Sequence, residues 1–246
     1  MCGIYFSAAQ GRQHVPDGKI VDLLNRRGPD NVGSTQRKVI VEASTKPIFL
    51  NTISTVLSLR GDTTIHQPLE DPLSGSLLCW NGEAWKHNDK PIFGNDAAVV
   101  FDSMIKAMQV LPQRDDPAFE HRIASLIAFQ SVMESISGPF AFVFYDAKSQ
   151  RLFFGRDRLG RRSLLIGKGL QEELILSSIS NGPTSGGWEE VEANGIYMLD
   201  LTAYITGTNN YAKDGASQQR FPFEIIHLPW QLLSVTSSSL TTFVSE

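Results

Sequence analysis

The chain has 246 residues, 41% of them hydrophobic and 20% charged, with a formal net charge of −4, the balance of an ordinary globular domain long enough to bury a large core. Lysines and arginines never gather into a basic stripe, which sets aside a nucleic-acid footprint, and the longest apolar runs, such as "PFAFVFY" at 139–145, fall far short of a membrane span. The N-terminus lacks the basic-then-apolar layout of a secretory signal, and two cysteines, Cys2 and Cys79, give no disulfide framework, so a reducing, cytoplasmic setting is expected.

Taken in chain order, short runs rich in β-branched and aromatic residues predict strands at 3–9, 56–61, 77–85, 140–147, 151–157, 163–167, 174–180 and 195–201. In the run from 140, Phe140, Phe142 and Phe144 fall on one face and Ala141, Val143 and Tyr145 on the other. The stretch 140–157 reads as a hairpin turning at Asp146 to Gln150. Helices are predicted at 17–26, after "GND" with Asn95 or Asp96 as cap and Phe101, Met104, Ile105 and Met108 as its apolar stripe, and over 116–136 with Ile123, Leu126, Ile127, Val132 and Met133 inward. Grouped strands with helices between them favour layered antiparallel sheets. From about 206 the pattern fades into a polar tail with one apolar patch at 225–233, which reads as a linker with a docking segment.

The five histidines show no ligand spacing and no Cys-x-x-Cys occurs, so a zinc site has little support. No Gly-x-Ser-x-Gly elbow starts a serine triad, and "TSGGWEE" at 184–190 lacks the ending of a phosphate loop and reads as a turn. Cysteine chemistry is left. A thiol with pKa ~8.5 needs a base, and an N-terminal α-amine at about 7.7–8.0 is matched to that task. Cys2 acquires such an amine if Met1 is removed, which a small second residue permits. Amide attack then needs donors for the developing oxyanion, and "NGE" at 81–83 offers the Asn81 amide and the Gly82 N–H, or simply a tight turn. Arg60, at the end of an apolar run, suits a bidentate carboxylate. Asp96 suits a substrate ammonium, or merely caps its helix.

In order along the chain, "MCGI", "RRGPDN", "LRGD", "WNGEAW", "GNDAAVVF", "SGPFAFVFYDAKSQRLFFGRDRLGRRSLL" and "WEEVEANGIYMLDL" resemble the class II glutamine amidotransferases, in their asparagine synthetase branch. The resemblance covers residues 2–201 and implies an α+β N-terminal-nucleophile hydrolase fold: two antiparallel sheets face to face, with helices outside each. It implies a glutamine amidotransferase domain over 2–205 and a tail, 206–246, leading towards a synthetase domain absent from this chain. It also implies that Cys2 is the nucleophile with its own amine as base, and that Asn81 and Gly82 form the oxyanion hole. Arg60 would bind the glutamine α-carboxylate, and Asp96 with Glu83 its α-amine. "RRGPD", with Arg26 where a histidine is usual, would edge the pocket, its Arg27, Pro29 and Asp30 either architectural or catalytic. The expected reaction is hydrolysis of L-glutamine to glutamate and ammonia. No cofactor is expected here, ATP and magnesium belonging to the missing domain, which would accept the ammonia. Two departures, a short Asn81–Asp96 interval and Ala97-Ala98 after Asp96, keep open a catalytically quiet binding module. An amidohydrolase acting on another amide also stays open.

Overall fold

The computed structural model describes residues 1–41, 46–109, 118–182, 187–210 and 220–231. Its elements are β1 (Gly3–Gln10), α1 (Gly18–Arg27), β2 (Asn31–Val39), β3 (Ile48–Val56), β4 (Leu69–Glu70), β5 (Leu77–Gly82), β6 (Lys86–His87), β7 (Lys90–Pro91), α2 (Asp96–Gln109), α3 (Ala118–Glu134), β8 (Ile136–Ser137), β9 (Phe140–Asp146), β10 (Arg151–Arg156), β11 (Leu165–Lys168), β12 (Leu174–Ser177), β13 (Glu189–Glu190), β14 (Gly195–Asn210) and β15 (Arg220–Pro229). Two antiparallel sheets carry the fold. The first has the order β13-β11-β12-β1-β3-β2 and the second β15-β14-β10-β9-β5-β4, with β7-β6-β8 as a small third sheet.

Strand alternation assigns each side chain to a layer. Ile4, Phe6 and Ala8 of β1 meet Leu77 and Cys79 of β5 and Ala141, Val143 and Tyr145 of β9 in the core between the sheets. Tyr5 and Ile53 point the other way, onto Ile20 and Leu24 of α1. On the far side, Leu78, Trp80, Phe142, Phe144 and Phe153 pack beneath Val100 and Met104 of α2 and Leu126, Phe129 and Met133 of α3. The result is the expected four-layer order: helix, sheet, sheet, helices.

α1 begins where Asp17 accepts from the Lys19 N–H at 2.8 Å, and α2 where Asn95 accepts from Ala97 N–H at 2.9 Å, each satisfying an end-turn donor. The 140–157 hairpin forms in the register Phe154↔Val143, and Asp146 accepts from the Ser149 N–H at 3.0 Å in its turn.

Three readings change. The strand expected at 56–61 ends at Val56, and the chain continues as an irregular loop that carries Arg60. β2 and β3 lie where no strand was read: β2 is an edge strand of polar residues alternating half-buried and exposed, and β3 buries Asn51, Thr52, Ser54 and Thr55 alongside its apolar residues. In α3 the buried face runs through Leu126, Phe129 and Met133, while Ile127 is 49% exposed. Beyond 205, β14 continues to Asn210 and β15 pairs with it, Ile196 against Leu228. The side chain of Ile123, the turn residues 184–186 and residues 211–219 and 232–246 lie outside the described residues.

Phe129 is fully buried and stacks on Phe153 at 4.3 Å between ring centres. Replacing it with Ala leaves a cavity and is expected to lower unfolding free energy by about 3–5 kcal/mol. Ile127→Ala, on the exposed face of the same helix, should change it by roughly 0.5 kcal/mol or less. Urea unfolding of both variants checks the difference.

Candidate active site

One cavity, of about 50 Å³, is walled by Cys2, Arg60, Asn81, Gly82, Glu83 and Asp96 together with Met1, Leu57, Gln67 and Arg162. All six site residues read from the sequence therefore meet at one place. Parity explains the meeting. Cys2 precedes β1 in step with Ile4 and Phe6, and Asn81 follows Cys79 on β5, so both face the interior between the sheets.

Cys2 is half-buried, and its thiol points at the Leu57 carbonyl, 3.8 Å away. Its own carbonyl accepts from Arg27 Nε at 3.2 Å, so the "RRGPD" segment grips the main chain at Cys2. The same segment is tied to the Arg60 loop, Asp30 accepting from the Ser58 N–H at 2.7 Å. Arg26 is exposed. Burial pushes the Cys2 thiol up; the Leu57 contact, the chain-terminal ammonium and Arg162 pull it down, while Asp96 adds to the rise. Burial pulls the Met1 amine down, and the nearby cations Arg27 and Arg162 act in the same direction, partly opposed by Cys2 and Asp30.

Asn81 is 1% exposed, and its side-chain nitrogen is buried without a hydrogen-bond partner. A buried donor left unpaired costs about 1–3 kcal/mol, which makes it a conspicuous group in the wall of a cavity. Gly82 is required by packing: a Cβ there would sit 2.6 Å from the Trp80 indole. Asp96, 5% exposed, accepts on Oδ2 from Trp80 Nε1 at 2.9 Å and from the Ala84 N–H at 2.7 Å. The helix-capping alternative for Asp96 falls instead to Asn95. Arg60 donates to the carbonyls of Ala84 at 2.6 Å and Ile92 at 2.7 Å. Its guanidinium is thus held by backbone, and the remaining N–H groups of the fork are left for an anion. Glu83 lines the cavity, its N–H bonded to the Pro139 carbonyl at 2.9 Å.

Gln67 and Arg162 are among the lining residues that were not read from the sequence. Gln67, in "IHQPL", gives no signal beyond an amide ahead of a proline. Arg162 hides in "GRDRLGRRSLL", where structure alone separates the roles. Arg156 is buried and bonds Glu190 and nearby carbonyls, Arg158 lies over Trp230, and Arg161 pairs with Asp157 beneath Trp85; only Arg162 of the four reaches the Cys2 cavity. Among the described residues no three His, Cys, Asp or Glu side chains gather to hold a metal ion, and no helix is long and apolar enough to cross a membrane.

The two thiols differ sharply. Cys79 is fully buried and pushed up to about 12 by desolvation. Iodoacetamide under native conditions is therefore expected to label Cys2 and spare Cys79. Because thiolate is the reactive form, labelling of Cys2 in the chain that retains Met1 should rise with pH through a midpoint above the ordinary ~8.5 of a free thiol. Peptide-mapping mass spectrometry across a pH series reads both outcomes.

Comparison with known proteins fits this geometry. The family model described as a glutamine amidotransferase domain matches residues 55–181, just over half of the chain. Asparagine synthetase domain-containing protein 1 of Mus musculus is 33% identical over 209 residues, 82% of this chain and 30% of that protein. The Homo sapiens protein of that name is 32% identical over 212 residues, 83% of this chain and 29% of its own length. This chain thus spans about 30% of the length of these relatives. Among solved structures, an allosteric regulatory enzyme of purine biosynthesis superimposes with a TM-score of 0.51 at 15% identity, over 81% of this chain and 47% of its own, a likeness of fold. The chain belongs to the glutamine amidotransferase domain family, in its asparagine synthetase-related branch.

Proposed function

We propose that this domain hydrolyses L-glutamine to glutamate and ammonia through a γ-glutamyl thioester on Cys2, once Met1 has been removed. The observation that carries the reading is the buried, unpartnered Asn81 amide nitrogen in the wall of the cavity that holds the Cys2 thiol. A donor kept dry and unpaired next to a nucleophile suits an oxygen that becomes negative only during reaction.

In this reading the freed α-amine of Cys2 takes the thiol proton, and sulfur attacks the substrate amide carbon. Asn81 and the Gly82 N–H take the oxyanion. The tetrahedral species collapses with expulsion of ammonia, the amine returning the proton to the leaving nitrogen. Water then attacks the thioester under the same base, releasing glutamate and restoring the thiol. Arg60, already fixed by two carbonyls, grips the α-carboxylate. Asp96, with Glu83 beside it, faces the α-ammonium; both Asp96 bonds fall on Oδ2, leaving Oδ1 for that contact. Removal of Met1, itself a wall of the cavity, enlarges the space for substrate. The ammonia would pass to a synthetase domain of the kind its longer relatives are named for, the protein acting in the cytoplasm.

The test is glutamate release from glutamine by the purified chain, with intact mass recorded on the same sample. The Met1-free form should turn over and the Met1-bearing form should not. Cys2→Ala should abolish turnover and labelling by an electrophilic glutamine analogue, and Asn81→Ala should cut kcat by about 10²–10³. Full activity of Cys2→Ala would sink the reading. Glutamine binding without turnover by the Met1-free chain would favour a quiet binding module.

A further inference from the structure

We infer that Gln67 sets the spacing between the nucleophile and its oxyanion donor, acting as a positioning residue that joins the two sheets at the floor of the site. The inference rests on the glutaminase reading of the cavity. It begins from a gap in the second sheet. β4 pairs with β5 only at Leu69↔Leu78 and Glu70↔Leu77, so the outward edge of β5 loses its strand neighbour before the oxyanion residues are reached. The Trp80 N–H, buried on that edge, needs another acceptor. Gln67 supplies it: its side-chain oxygen accepts from Trp80 N–H at 2.7 Å.

The same oxygen is 3.3 Å from the Ser54 hydroxyl, which also lies 3.3 Å from the Gly3 carbonyl and donates between the two acceptors. Ser54 sits opposite Ile4 in the β1–β3 ladder. One atom therefore bonds both sheets. Its partner on the second sheet is one residue before Asn81, and the hydroxyl it shares on the first reaches the residue after Cys2. Few side chains could replace it. The position is 4% exposed, its N–H is taken by Asn31 Oδ1 at 3.3 Å, and its carbonyl lies 2.1 Å from where a Cβ on Gly33 would stand. The main chain of Gln67 is thus pinned against β2, and its side chain reaches across to β5 with an acceptor at its tip.

The physical demand is clear. A nucleophile on one sheet and an oxyanion donor on the other keep their separation only if the sheets cannot slide, and about 1 Å of misplacement can cost roughly 100-fold in rate. The apolar core between the sheets resists separation but is weakly directional. The hydrogen bonds converging on the Gln67 oxygen supply direction.

The experiment uses the Met1-free chain and follows glutamine hydrolysis, thermal melting and the double-variant cycle with Asn81. Gln67→Met keeps the length of the side chain and removes the acceptor; Gln67→Glu keeps the acceptor. Gln67→Met is expected to lose about 100-fold in kcat, with KM little changed, and Gln67→Glu to recover most of it. Adding Asn81→Ala to Gln67→Met should cost little more, because a displaced donor has already lost its effect. Ser54→Ala, which removes only the link to the first sheet, gives a second reading should Gln67→Met fail to fold: a fall in kcat that is also non-additive with Asn81→Ala. If Gln67→Met, or in its place Ser54→Ala, works at the wild-type rate, or if its loss simply multiplies with that of Asn81→Ala, the inference is overturned. An unmodified chain that releases no glutamate overturns the glutaminase reading, and this inference with it, before any variant is measured.

Discussion

The site depends on a single residue, Ala84, whose main chain is held through both its N–H and its carbonyl. Its N–H donates to the buried Asp96 carboxylate at 2.7 Å and its carbonyl accepts from Arg60 at 2.6 Å. A carboxylate inside a protein is tolerable only when charge or donors surround it, and here the donors are the Ala84 amide and the Trp80 indole. Satisfying Asp96 therefore fixes Trp80 in β5 and Ala84 just after it, between which Asn81 and Gly82 lie. Satisfying Arg60 fixes the loop beyond β3. The two charges of opposite sign that are proposed to read the ends of an amino acid are thus spaced by the backbone that also carries Asn81 and Gly82, the proposed oxyanion donors. In that proposal substrate recognition and catalytic geometry share their supports.

The proposed chemistry needs the other sheet to present the Cys2 thiol from the opposite side, and parity secures this. Because Ile4 and Phe6 must enter the inter-sheet core, Cys2 must as well. A one-residue slip of β1 against β3 would place the thiol on the α1 side with Tyr5. The pairing from Gly3↔Thr55 to Gln10↔Ile48 pins that register over the whole strand.

Much of this was legible in the sequence because it is written in apolar periodicity. β1, β5, β9 and β10 are short, hydrophobic and bounded by turns, and α1 and α2 carry their caps in sequence. What escaped was written in polar residues that are buried. β3 reads as a mixture because Asn51, Thr52, Ser54 and Thr55 are all inside; the partners of Asn51, Ser54 and Thr55, which include the His14 carbonyl, Gln67 and the Leu24 carbonyl, are distant in the chain. β2 is polar because it is an edge. Arg60 was read as a cation waiting for a carboxylate, and its partners are two carbonyls that no pattern announces. The same limit hid Gln67 and Arg162. Chemistry-bearing residues at motif positions are visible one at a time; the residues that hold them apart are visible only once the strands are paired.

The electrostatics of the chain terminus bring these supports to bear on one proton. Burial acts in opposite directions on the Cys2 thiol and the Met1 amine, raising the first and lowering the second, because in each case it disfavours the charged form. Arg162 favours a thiolate, and Arg27 and Arg162 both oppose an ammonium. Both shifts run toward the uncharged forms, thiol and amine, from which general base catalysis starts. With Met1 in place the amine belongs to the wrong residue and the Cys2 nitrogen is a peptide group with no basicity. The peptide bond to be cleaved is no part of the clamp around Ala84, nor of Asn81 or Gly82. In the proposed mechanism its cleavage places the base on the carbon that bears the thiol side chain, at a terminus where burial and the neighbouring cations lower the pKa of an amine.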